Sequence, residues 1–172
     1  ADRLSEEAMV LLKQSGCFRV WVGAESGSQK IIDAMDRRVK VEQVRKMINM
    51  VKQYGMEAGT FIMLGYPGEE EEDIIETLEH LKNSNPDHYT ITVAYPIKGT
   101  PLYAEVENIF TKELSWENNT DRDIDFQRPY SRRYYMHAIN WIQQEMLYMR
   151  TGKSIDRLKL KLRSIKARTD MR

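Results

Sequence analysis

Hydrophobic residues fall along the chain in two alternating rhythms. Val41, Val44, Met47, Ile48, Val51 and Tyr54 recur at intervals of three and four and stop at Gly55, which predicts an amphipathic helix. Met9, Val10 and Leu12 follow a candidate cap at Ser5 and end at Gly16, a shorter helix of the same kind. Ile31, Ile32 and Met35 mark a brief helix opened by residues 26–28. Ile74, Ile75, Leu78 and Leu81 mark another, entered through a run of acids at positions 69–73 that suits the positive end of a helix dipole. Between these helices lie three apolar runs, 18–22, 59–64 and 88–95, rich in β-branched and aromatic residues, which predict strands. The middle run, GTFIML, is continuous enough to suggest burial on both faces.

Residues 1–95 therefore read α-β-α-α-β-α-β, an α/β pattern with a parallel sheet and right-handed crossovers. Such a sheet is about half of a barrel or open sheet. Its first strand has no neighbour on one side, which predicts either self-association or a cover from the C-terminal helices. The chain opens at Ala1 with no initiator Met and enters a helix almost at once, so it reads as a piece of a longer protein. Periodicity fades over residues 105–127, read as an irregular connection. Tyr135, Ile139, Ile142, Met146 and Met149 restore helical spacing across 134–150, as core or as the lining of an apolar pocket. Ile155, Leu158, Leu162 and Ile165 form a stripe within a final helix, expected to pack on its neighbour as a solvated amphipathic element. The organisation expected is one α/β unit over 1–105 and a connection with a helical extension over 106–172.

Composition narrows the possibilities modestly. Of 172 residues, 26 are Lys or Arg and 26 are Asp or Glu, so net charge gives no case for a nucleic-acid partner. Eight Lys/Arg against two Asp over 153–172 make that segment locally basic, which by charge alone is weak support for a membrane or nucleic-acid contact. No apolar run approaches the ~20 residues of a membrane span, and no signal-peptide pattern is present. The single cysteine, Cys17, excludes an internal disulfide, reads as a small buried hydrophobe beside Gly16, and suits a reducing cytoplasm.

Three motifs sit just past the predicted strands, where α/β folds gather ligands: VGAESGS at 22–28, LGYPGE at 64–69 and GTPLY at 99–103. Glu25 at a strand tip can accept from a ribose diol, pair with an ammonium group, or hold backbone amides. Ser28 can face a ligand or cap the following helix. Gly65 and Gly68 allow close backbone approach around the stiff Pro67, and Glu69 reads as helix N-terminal charge or as a ligand group. Tyr95 and Tyr103 offer stacking faces or half-buried packing. Arg37, Arg38 and Lys40 can reach a carboxylate or stand solvated. No GxxxxGK[ST], GxGxxG, HExxH or CxxC pattern occurs, and the three His are dispersed, so no metal site is expected from this chain.

Taken together, these motifs resemble the radical S-adenosylmethionine (SAM) superfamily over residues 4–105. ESGSQKIIDAMDRRV is similar to the family's ESGS-helix segment after the fourth barrel strand, and GTFIMLGYPGE to its fifth-strand segment. ITVAYPIKGTPLY is similar to the sixth-strand segment, with Lys98 where that pattern has Pro. The likeness is greatest to the cobalamin-associated branch that includes anaerobic Mg-protoporphyrin ester cyclases. The resemblance implies the C-terminal half of a partial (β/α) TIM-like barrel with parallel strands, and a missing N-terminal half carrying CxxxCxxC, a [4Fe–4S] cluster and, in that branch, cobalamin. It implies cleavage of SAM to a 5′-deoxyadenosyl radical that acts on a small-molecule substrate. It places Glu25 and Ser26 at the SAM ribose or amino group, and Arg37 or Arg38 at its carboxylate. Met63, Gly65, Pro67 and Gly68 would line the adenine, with Ala94 and Tyr95 contacting it from the sixth strand. An oxidoreductase or cyclase is the first reading. A methyltransferase or a methylthiotransferase is an alternative; the latter family ends in a small β-rich RNA-binding domain. A non-catalytic SAM-binding module is the third. Without cluster cysteines the chain alone is expected to be inactive.

Overall fold

The computed structural model describes residues 5–111, 120–152 and 154–171. Ser5 begins α1 (Glu6–Gln14) as its position predicts, its hydroxyl accepting from the Ala8 N–H at 3.2 Å. Three parallel strands follow, β1 (Arg19–Glu25), β2 (Glu57–Leu64) and β3 (His88–Val93), in the order β1-β2-β3. The connecting helices are α2 (Gln29–Ala34) and α3 (Val41–Gln53) before β2, and α4 (Glu71–Ser84) before β3. The α/β pattern with a parallel sheet is therefore the observed fold. Asn85, in the left-handed region at φ 38°, ends α4, where its N–H still donates to Leu81 O at 2.8 Å.

Helices cover one face of the sheet. Val22, Ala24, Ile62 and Leu64 point into a core completed by Val44, Ile48 and Val51 of α3 and Ile74, Leu78 and Leu81 of α4. The other face is open among the described residues. There Trp21 and Phe61 stack with ring centroids 4.6 Å apart. This corrects the expectation that GTFIML is buried on both faces: Phe61 stands exposed because no helix lies on its side. Trp21 lies flat on Gly59, where an added Cβ would come within 2.5 Å of the ring.

The chain after β3 continues into α5 (Pro101–Val106), whose first turn is capped by Thr100. The connection is less irregular than its sequence suggests. Two short 3-10 turns and an antiparallel bridge between Phe110 and Phe126 organise its described parts, while 112–119 lie outside the described residues. Helices α6 (Arg132–Arg150) and α7 (Ser154–Thr169) pack tightly on each other. Tyr135, Ala138, Ile142 and Met146 of α6 join the same core as the sheet.

One expectation, self-association or a helical cover at the edge of β1, is narrowed here, and another is corrected. α6 and α7 do not cover the edge of β1, because α6 packs against β3 and α4 at the opposite side of the sheet. Nor does α7 turn its apolar stripe to its neighbour: Ser164, Ala167 and then Met171 are buried, while Ile155, Leu158, Leu162 and Ile165 face outward. Small side chains let the two helices approach, and Lys161 and Ser164 reach the buried carboxylate of Glu145 at 2.7 and 2.5 Å. Lys82 of α4 adds a third partner at 3.2 Å. No helix among the described residues is long and apolar enough to cross a membrane.

Candidate functional site

The carboxyl ends of the strands bring Glu25, Gly65 and Ala94 to one edge of the sheet. Glu25 ends β1 in the left-handed region at φ 61°, just after a bulge between Gly23 and Glu25. For a non-glycine residue that conformation is strained and turns the side chain off the strand's regular alternation. Its Oε1 accepts from Arg37 Nη2 at 2.9 Å, and both side chains remain partly open to solvent. Gly23 makes room for this pair: an added Cβ would lie 2.9 Å from Glu25 Oε1 and 3.2 Å from Arg37 Nη2. Arg38 turns away instead and forks onto Asp36, with both contacts at 3.1 Å. Of the two arginines the sequence offers, the structure brings one to the strand end.

The rest of the first motif is scaffold. Ser26 is buried, its hydroxyl 3.2 Å from Thr77 Oγ1 and accepting from the Ser28 N–H at 3.1 Å. The Gly27 N–H donates to the same Thr77 hydroxyl at 2.9 Å. Ser28 occupies the N-cap position of α2 but makes no side-chain cap; its hydroxyl donates to Asp73 at 2.7 Å. So Glu25 alone faces outward, and the three residues after it fasten its loop to α4. The network also holds Asp73, which Lys30 pairs at 2.7 Å.

The second motif is a turn in which Pro67 and Gly68 are the central residues, closed by Glu69 N–H to Tyr66 O at 3.0 Å, with Gly68 at φ 79°. Pro67 is half-buried and Gly68 exposed. Glu69 is not the helix-end charge its position suggests. It is wholly buried; its Oε2 accepts from the Gly65 N–H at 2.5 Å while Oε1 has no partner. Burial pushes its carboxyl from the usual 4.5 up to about 8, so it carries a proton at neutral pH. The Tyr135 hydroxyl is likewise buried without a partner, and burial raises its pKa, with the Glu69 charge the next cause. The acids of α4's first turn are Glu71, Glu72 and Asp73.

Arg128, in the stretch read as irregular, ties the strand ends together. Its Nε donates to Gly65 O at 3.0 Å and its Nη2 to Ala94 O at 2.6 Å, while Nη1 pairs with Asp125. The guanidinium lies 3.8 Å over the Phe126 ring. No local pattern marks this residue, because its partners lie 34 and 63 positions away. Gly65 at φ 78° accommodates it: an added Cβ would meet Arg128 and Tyr135 at 3.3 Å. Met63 is half-buried on the open side of β2. Tyr95 lines a cavity of about 350 Å³ between β3, the connection and α6, together with Ala94, Arg122, Arg132 and Ile139. Tyr103 packs edge-on against Phe110 at 5.3 Å, away from the strand ends.

These observations test the groups that the resemblance implies. Glu25 and Arg37 present a carboxylate and a guanidinium side by side, complementary to an ammonium and a carboxylate on one carbon. That fits the amino-acid end of SAM. At the adenine end, the polar backbone groups of Gly65 and the Ala94 carbonyl already have partners in Glu69 and Arg128, leaving Met63 and Tyr95 as contact surface. An iron–sulfur cluster does not fit the residues of this chain. Cys17 is its only thiol, half-buried and donating to Arg19 O at 3.4 Å, and no group of three or more His, Cys, Asp or Glu among the described residues could hold a metal ion.

Residues 1–81 match the Radical SAM superfamily. An uncharacterized methyltransferase of Pyrococcus horikoshii is 30% identical over 125 residues, covering 71% of this chain and 27% of that protein. A tRNA-2-methylthio-N(6)-dimethylallyladenosine synthase of Clostridium tetani is 31% identical over 110 residues, covering 62% and 24%. The chain thus spans about a quarter of the length of these relatives. Among solved structures, methylornithine synthase (PylB) superposes with a TM-score of 0.56 at 14% identity, over 94% of this chain and 42% of that one, a likeness of fold alone.

Proposed function

We propose that this chain is the C-terminal part of a radical SAM group-transfer enzyme of the methyltransferase kind, and that it supplies the subsite for the amino-acid end of SAM. The observation that carries this reading is the Glu25–Arg37 pair, half-open at the end of β1 within residues that match the superfamily. Glu25 would receive the ammonium of SAM on Oε2, its Oε1 already engaged by Arg37. Arg37 would take the carboxylate with its remaining donors. When bound, SAM supplies the reactive sulfonium; the part of these residues is to hold and orient it. Ser26, Gly27 and Ser28 act one step removed by fixing the Glu25 loop to α4. The remainder of the parent protein would bring the iron–sulfur cluster and whatever further cofactor the reaction uses, cobalamin included.

Group transfer is favoured over the cyclase reading because the relatives above are named as a methyltransferase and a methylthio-group synthase. Within that class, the methyltransferase is taken as the first reading and the methylthiotransferase as the second, each having a relative at about 30% identity. Assignment to the cytoplasm remains part of the same proposal.

The test is SAM affinity measured by calorimetry. Glu25→Gln and Arg37→Gln are each expected to weaken binding about tenfold, the loss of one charge-assisted contact. Arg38→Gln, which breaks only the Asp36 fork, is expected to leave it unchanged. Unaltered affinity in both site variants would remove the assignment.

A further inference from the structure

The outward stripe of α7 is unexplained by anything above. Ile155, Leu158, Leu162 and Ile165 are 74%, 64%, 58% and 53% exposed. Their spacing of three, four and three puts them on one face of the helix. The opposite face, with Ser164 and Ala167, is the one packed on α6. The helix is therefore docked by its small residues and displays its aliphatic ones. Burying such groups is favourable at about 25 cal/mol per Å², so a surface that leaves four of them out invites an occupant.

The borders of the stripe are basic. Between 154 and 169 the helix carries six Lys or Arg and one Asp. On one border Arg157 and Lys161 lie over the Tyr148 ring at 4.6 and 5.4 Å, and Arg168 over Trp141 at 4.4 Å. Lys161 also pairs with Glu145 and Arg168 with Glu71, so Arg157 is the cation of this border left without an acidic partner among the described residues. Lys159, Arg163 and Lys166 lie along the other border, and have no partner among the described residues. Ile165 also borders a groove of about 350 Å³ shared with Ile75, Leu78 and Trp141, which continues the apolar surface toward α4.

We infer that α7 is a membrane-surface helix that seats its stripe in an anionic lipid bilayer. A helix with a central apolar band and cations on both flanks matches the depth profile of such an interface. The aliphatic groups enter the acyl boundary while the Lys and Arg stems reach back to acidic headgroups. Two other occupants are less well matched. A second copy would bring one strongly basic helix against another, opposing association by like charge. A nucleic acid would use the cations but leave four aliphatic side chains with no phosphate, base edge or stacking role. Neither Glu25 nor Arg37 lines this face or its groove, so lipid binding by α7 does not depend on the SAM proposal.

The experiment is co-sedimentation of the full chain with phosphatidylcholine vesicles, with and without about a third phosphatidylglycerol. The chain is expected to bind the anionic vesicles and to leave the neutral ones largely free. Leu158→Glu with Leu162→Glu is expected to weaken that binding at least about tenfold, because both side chains lose their place in the acyl boundary and add charge there. Leu158→Ser with Leu162→Ser, which adds no charge, is expected to weaken it in the same direction. These positions are solvent-exposed, so circular dichroism and thermal midpoints are expected to stay those of the native chain. Absence of vesicle binding would overturn the inference. So would binding that disappears in salt yet ignores both double variants, which is plain electrostatics. Stripe-dependent binding to a tRNA in place of vesicles, or stripe-dependent dimerisation without lipid, would assign the face to those occupants instead.

Discussion

Replacing Glu69 with Gln is expected to stabilise the fold by about 3 kcal/mol at pH 7, and by less as the pH is lowered. Burial holds the Glu69 carboxyl at about 8 against an ordinary value of 4.5. In that interval the folded chain keeps a proton that the unfolded chain releases. Stability must therefore fall as pH rises from about 4.5 to about 8, at up to ~1.4 kcal/mol per unit. The amide keeps an acceptor for the Gly65 N–H and carries no proton to lose. His80 works in the opposite sense. It is buried with Nε2 unpartnered and Arg45 Nε donating to its Nδ1 at 3.4 Å, and burial lowers it to about 4. Its neutral form costs stability as pH falls from 6.5 toward 4. Between about 4.5 and 6.5 the two slopes oppose, so the native chain should show a near-plateau there and a decline from 6.5 to 8. In Glu69→Gln the decline above 6.5 should vanish and the acid-side decline should emerge alone. Asp73 and Glu145, whose hydrogen bonds and ion pairs hold them below the ordinary carboxylate range, add their losses only at lower pH. Urea midpoints across this range measure the effect. Parallel profiles for the native chain and the variant would show that Glu69 is ionised in the fold.

That buried acid was hidden in a sequence whose elements were otherwise readable. Helices α3 and α4 declared themselves through their period and the strands through β-branched runs, because both are local signals. Glu25 and Arg37 were legible as candidates for the same reason: one ends a strand and the other follows a short helix. What the local pattern could not say was which side chains turn inward. The Ser26 and Ser28 hydroxyls find partners 51 and 45 residues away, in Thr77 and Asp73. Glu69 stands beside four other acids and differs from them only because the turn folds it under Gly65. Arg128 gives no local sign that it will bond two strand ends. In α7 the sequence offers two usable faces, and the choice falls on Ser164 and Ala167 because small residues permit close packing while Glu145 needs Lys161 nearby. In GTFIML the apolar run is real, but burial depends on what covers each side of the sheet, and helices cover only one.

Gly27→Ala should be the most damaging single-methyl change at the site, costing about 3 kcal/mol or more of stability. A Cβ there would lie 2.5 Å from Glu76 O, 2.5 Å from Thr77 Cα and 2.6 Å from His80 Cβ. Two of these atoms are helix backbone, which cannot step aside without moving α4 and its packing against the sheet. Relief must come from the loop, and moving the loop breaks the Gly27 N–H bond to Thr77 and the Ser26 contact beside it. Gly59→Ala is the informative contrast. Its Cβ would come equally close, 2.5 Å, but to the Trp21 ring, which is 39% exposed, stacked on Phe61 and tilted toward His88 at 6.4 Å. The ring can swing into solvent, so the expected cost is about 1 kcal/mol. Denaturant unfolding of the two variants separates a fixed obstacle from a movable one at the same distance. Equal costs would mean that the 26–28 loop yields as easily as a side chain. The Gly27 variant should also bind SAM more weakly even under conditions where it remains folded, because Glu25 is carried on the displaced loop. A Gly27→Ala chain with native SAM affinity would uncouple that loop from the carboxylate it is argued to position.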